Sequence, residues 1–147
     1  MFESLTPSTG ISHVIQLSVA PVFLLTSIGA ILNVMANRLS RIVDRARTLE
    51  LKLPAAEGAA RDELAARLGT LSRRARLISH AVAACVVTAV LVCGVIITLF
   101  CGEFLHFEAT VPAALLFIAA LLSFLLSLVW LLREILIATR AMKFGPG

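Results

Sequence analysis

Charged residues are missing from three long stretches of the chain: none lies between Glu3 and Arg38, between Arg76 and Glu103, or between Glu108 and Arg133. About 20 apolar residues in a helix cross a ~30 Å hydrocarbon core. Each gap exceeds that length, so the pattern predicts three transmembrane helices, near residues 13–36, 79–101 and 110–132. Composition agrees, with 59% hydrophobic and 15% charged residues and a mean hydropathy of +0.97, far from a soluble average. The start, "MFESLTPSTGIS", carries Glu3 and no Lys or Arg. A cleaved signal peptide needs a basic first region, so the first helix is expected to be retained.

The thirteen Lys and Arg residues fall in two places, ten between Arg38 and Arg76 and three between Arg133 and Lys143. Basic residues flanking spans mark the cytoplasmic side. This predicts a multi-pass membrane protein, with its N-terminus outside and with segment 37–78 and the C-terminus cytoplasmic. The arginines Arg38, Arg41, Arg45, Arg73, Arg74 and Arg76 gather where the spans end. There they are expected to snorkel toward anionic lipid headgroups. A nucleic-acid partner is not expected, since the charge comes with neither a binding motif nor an aromatic platform.

Segment 37–78 carries its own pattern. Leu39, Ile42, Ala46, Leu49 and Leu53 repeat at 3, 4, 3, 4 spacing, and Leu64, Leu68, Leu71, Ala75 and Ile78 at 4, 3, 4, 3. Those are coiled-coil seams, separated by Pro54 and Gly58, which break or cap helices. Folding about Gly58 sets Leu53 against Leu64, Leu49 against Leu68, Ala46 against Leu71, Ile42 against Ala75 and Leu39 against Ile78. It also brings Glu50 beside Arg67 as a flanking ion pair. The expected architecture is therefore an all-α membrane protein, residues 1–147 forming one domain, with three spans and a cytoplasmic antiparallel helical hairpin between the first two.

Within the first span, Thr26, Gly29, Asn33 and Asn37 share one helix face at spacings of 3, 4 and 4. Polar residues at that depth face protein or water. They serve either as interhelical glue or as the lining of a pore. Pro21 lacks the donor that the Leu17 carbonyl needs, which is expected to kink the span, with Ser18 or a neighbouring helix compensating. Small residues recur at every fourth position in the second span (Ala81, Cys85, Ala89, Cys93) and in the third (Ala119, Ser123, Ser127), predicting packing faces. All three cysteines lie on the second span, so a disulfide framework is not expected.

Groups that carry chemistry are few. His13, Glu103, His106 and Glu108 fall on the expected outer side, a set of residue types that could bind a divalent cation, but they lack a tight ligand pattern, and no metal or other cofactor is expected. There is no glycine-rich phosphate loop, nucleophile elbow or pair of intramembrane carboxylates, which argues against an enzyme.

At "APVFLLTSIGAILNVMANRLSRIVDRARTLE", residues 20–50, the chain resembles a family of small bacterial inner-membrane proteins classified as a domain of unknown function. The proline-bearing span, the N-R-L-x-R-I-V-D-R-x-R run and the later "RRARLISHAV" carry that resemblance. It implies a compact bacterial membrane protein and brings no activity or catalytic residue. Two functions follow as expectations: an oligomeric scaffold that meets protein partners or anionic lipid through its basic hairpin, or a small homo-oligomeric ion channel lined by the first span.

Overall fold

The computed structural model describes residues 7–142, with side chains described for 10–141. Three helices account for most of them: α1 (Pro7–Lys52), α2 (Ala59–Leu105) and α3 (Thr110–Met142). All three are long and apolar enough to cross a membrane. Many large hydrophobic side chains, among them Phe23, Val90 and Leu115, are exposed. A lipid-facing surface tolerates that, whereas a soluble domain keeps such patches small.

The breaks between helices have local causes. Pro54 disfavours helical backbone at the residue before it, so α1 ends at Lys52 and passes into a 3-10 turn, Leu53–Ala55. Gly58 then takes a positive φ of 60°, a conformation open to glycine at no steric cost. Its carbonyl accepts from the Arg61 and Asp62 amides at 3.1 and 3.3 Å, starting α2. At the other end of α2, His106 adopts a φ of 52° and the Phe107 amide donates to the Gly102 carbonyl at 3.2 Å. That is a Schellman-type stop. A side chain on Gly102 would collide with the Ala109 methyl group, so glycine lets α3 begin close by.

The helices contribute to two compact units, one drawn from residues 1–31 and 85–125, the other from 32–84 and 126–147. In the first, the buried positions are Val14, Ser18, Pro21 and Ile28 of α1, Cys85, Thr88, Val92, Val95 and Gly102 of α2, Ala109 just before α3, and Ala113 and Ala120 of α3. In the second they are Met35 and Ile42, then Ile78, Ala81 and Ala84, then Ser127 and Glu134. Both sets follow steps of three, four or seven, the spacing of helices packed along a heptad seam. The Ser127 hydroxyl donates to the Ala81 carbonyl at 2.7 Å within the second unit, tying α3 to α2.

The rows of small residues at every fourth position, expected to pack within the chain or against another copy, are covered only in part by the described residues: Ala81 and Cys85 are buried, Ala89 is half-buried and Cys93 exposed, while Ala119 is exposed and Ser127 buried. Four residues turn a helix about 40° past a full turn, so such a row winds away from its partner, whereas alternating steps of three and four stay in place. Ser18 does not serve the carbonyl that Pro21 leaves free. Its hydroxyl donates to Val14 O at 2.8 Å, the ordinary bond one turn back.

Candidate functional site

The most unusual group in the molecule is Glu134, an acidic residue of α3 that is 0% exposed. Its two carboxylate oxygens are divided between two arginines. Oε2 accepts from Arg38 Nη1 at 2.6 Å, and Oε1 accepts from Arg74 Nε and Nη2 at 3.0 and 2.8 Å. Arg38 belongs to α1 and Arg74 to α2, so one carboxylate joins all three helices inside the second unit. A buried carboxylate without such partners costs several kcal/mol. Among the described residues no buried side-chain nitrogen or oxygen lacks a hydrogen-bond partner. With two guanidinium groups to one carboxylate, the cluster carries one excess positive charge, and Arg38, with 36% of its side chain exposed, is its open edge.

Glu134 arrives there because of its place on α3. Ala113, Ala120, Ser127 and Glu134 recur at every seventh residue and all are buried. Three small residues let the neighbouring helices approach, and the fourth position presents a charge instead. That period was the available sequence signal. Counting small residues at every fourth position missed it, and Glu134 was hidden among Arg133, Arg140 and Lys143 as one more charge beyond the third span.

The six arginines expected to form a lipid-facing collar divide into two groups. Arg38 and Arg74 are half-buried and held by Glu134, whereas Arg41, Arg45, Arg73 and Arg76 are exposed. Near them, Arg67 takes Glu63 at 2.6 Å, one turn away on its own helix. Glu63 thus replaces the Glu50 partner expected from the sequence, as an i,i+4 pair needs no crossing between helices. Rings of His80 and Trp130 lie 5.4 Å apart between centroids.

All ten seam residues are removed from full exposure: Ile42 and Ile78 are buried, and Leu39, Ala46, Leu49, Leu53, Leu64, Leu68, Leu71 and Ala75 are half-buried. A cavity of about 400 Å³ is lined by Ile42, Ala46 and Glu50 of α1 and by Leu68, Leu71 and Ala75 of α2.

The polar stripe has the opposite environment. Thr26, Gly29, Asn33 and Asn37 are all exposed, and nothing approaches Gly29 within 4 Å of where a side chain would begin. The Thr26 hydroxyl makes a long 3.4 Å bond to Val22 O on its own helix. The stripe therefore lies off the buried face of α1 and is not covered by the described residues. In the first unit, His13, Glu103, His106 and Glu108 do converge on one cavity of about 420 Å³. Among the described residues, no three His, Cys, Asp or Glu side chains come together in a way that could hold a metal ion.

Neither the curated proteins nor the solved structures contain a match to this chain. One protein-family description does match, over residues 18–144, a range that takes in the stripe, the basic region and all three members of the buried charge cluster. The chain belongs to the family described as "Protein of unknown function (DUF2721)".

Proposed function

We propose that the protein is a homo-oligomeric scaffold of the bacterial inner membrane, with its N-terminus outside and residues 37–78 forming a cytoplasmic coiled-coil hairpin. The hairpin and its basic base are the surfaces that meet protein partners and anionic lipid headgroups. The observation that carries this reading is the exposure of Thr26, Gly29, Asn33 and Asn37 on one side of α1. An asparagine amide facing hydrocarbon leaves its donors and acceptors unsatisfied, at a cost of several kcal/mol. A second copy of α1 removes that cost by hydrogen bonding across the interface, and Gly29 allows the two backbones to come close. Burial of all ten seam positions from full exposure supports the hairpin, and the charge asymmetry along the chain supports the orientation.

The same stripe favours a second reading, in which several copies of α1 surround a wet path and Thr26, Asn33 and Asn37 line a small channel. Asn33→Leu separates the two. In the scaffold it shifts the oligomer to smaller species, seen by native mass spectrometry in lipid nanodiscs, and wild-type liposomes carry no ion flux. In the channel it preserves the oligomer and lowers a measurable wild-type flux by creating a constriction that dewets.

A further inference from the structure

We infer that a groove between α2 and α3 is a binding site for an anionic phospholipid whose headgroup carries two phosphates. Arg73 of α2 and Arg133 and Arg140 of α3 line it together with Leu77, Leu136 and Ile137. The three arginines are exposed, and none makes a hydrogen bond or ion pair with another described residue. No carboxylate lines the groove: Glu134, next to Arg133 in sequence, is turned to the buried face and held by Arg38 and Arg74. The other basic cavity, about 650 Å³ and lined by Arg45, Arg67 and Arg74, differs in this respect. Two of its three arginines are already paired, Arg67 with Glu63 and Arg74 with Glu134. Among the described residues, nothing neutralises the three arginines of the α2–α3 groove.

The arrangement matches a lipid better than a soluble anion. Arg133 is the first charge after the long apolar run of α3, and Leu132 and Val129 continue an exposed aliphatic surface from it back along the helix. Arg140 lies two turns further on the same face, about 10 Å along the axis. Phosphates can therefore be met at two levels while acyl chains follow the aliphatic side. A headgroup with a single negative charge leaves two of the three guanidiniums uncompensated, which favours two phosphates in one molecule. Only the leaflet that supplies the lipid rests on the orientation proposed above. The binding itself requires only that α2 and α3 cross a bilayer.

The test is native mass spectrometry of the full-length protein in a neutral detergent, titrated with diphosphatidylglycerol, phosphatidylglycerol or phosphatidylcholine, and with inorganic pyrophosphate as a soluble competitor. Diphosphatidylglycerol is expected to be retained about fivefold better than phosphatidylglycerol, and Arg133→Gln and Arg140→Gln each to lower its retention about fivefold, the worth of one basic residue near an anionic headgroup. Arg67→Gln, in the other cavity, serves as the control and is expected to change retention by less than about twofold. All three substitutions are at exposed positions outside the buried charge cluster. Equal retention of the two anionic lipids, equal losses in all three variants, or displacement by pyrophosphate at lipid-like concentrations would overturn the proposal. Repeating the titration with the Asn33→Leu variant keeps the two readings apart, since a changed oligomer that still selects diphosphatidylglycerol leaves the lipid site standing.

Discussion

Arg74 directs two hydrogen bonds, from Nε at 3.0 Å and from Nη2 at 2.8 Å, to a single carboxylate oxygen of Glu134. The second oxygen is left to Arg38. This division makes each arginine answer for one side of a charge that water does not reach, and it sets the ranking of several substitutions.

Glu134→Gln should be the most damaging change in the second unit. It leaves two guanidiniums facing each other across a neutral amide, and breaking a buried pair on one side costs about 3–5 kcal/mol. Thermal unfolding in detergent, followed by helical circular dichroism, should show a lowered midpoint. Arg74→Met should cost more than Arg38→Met, because Arg74 makes two bonds and is 16% exposed against 36%. A midpoint unchanged by Glu134→Gln would mean that the carboxylate contributes nothing to packing.

The heptad spacing of α3 can be checked with two neighbouring alanines. Ala120 is fully buried, whereas Ala119 is exposed. Ala120→Leu should destabilise by about 1–3 kcal/mol through overpacking, and Ala119→Leu should be close to neutral because its side chain meets lipid. Equal effects would return support to the every-fourth-residue reading. Ser127→Ala, which loses the bond to Ala81 O, should cost about 1 kcal/mol by the same unfolding measurement.

In the proposed hairpin, Leu68→Asp places a charge in the apolar lining shared by Ile42, Ala46 and Leu71. A loss of several kcal/mol is expected. Glu63→Ala removes an exposed i,i+4 pair and should change stability by no more than about 0.5 kcal/mol. Cysteines introduced together at Leu49 and Leu68 should crosslink within one chain under mild oxidation. Crosslinking between chains alone would assign the seam to the oligomer instead.

Orientation is open to direct labelling. With Cys85, Cys93 and Cys101 replaced by alanine, a single cysteine at Glu57, an exposed position beside the turn, should react with a membrane-impermeant maleimide only after the cells are opened. Reaction in intact cells would reverse the proposed topology.

The helices were legible because their causes are one-dimensional. A charge-free run longer than a bilayer is thick defines a span, and Pro54 and Gly58, four residues apart between two apolar repeats, end one helix and start the next, whereas the isolated Pro21 stays inside α1. The apolar spacing from Leu39 to Leu53 is visible in the chain for the same reason, since periodicity needs no partner to be seen, and the crosslink between positions 49 and 68 decides what that face packs against. Glu134 was not legible, because its significance depends on Arg38 and Arg74, which stand 96 and 60 residues away, and on a buried face marked only by alanine and serine. The partner of Arg67 was misjudged for a related reason. Reasoning across the seam favoured Glu50, although Glu63 was nearer along the same helix. His13, Glu103, His106 and Glu108 do line one cavity, the last three placed together by the short turn between α2 and α3 and His13 brought to them by α1.

The dependence of Glu134 on two distant helices has a consequence for biogenesis. As the chain emerges from the ribosome, Arg38 and Arg74 are made long before their counter-charge, and a chain released before residue 134 holds two cations facing a place meant for an anion. Only a finished third helix, inserted to the right depth, supplies it. Shifting that helix by one residue rotates the carboxylate about 100° off the seam, so the three-way pairing is available to one register of the third helix and to no chain that ends before it.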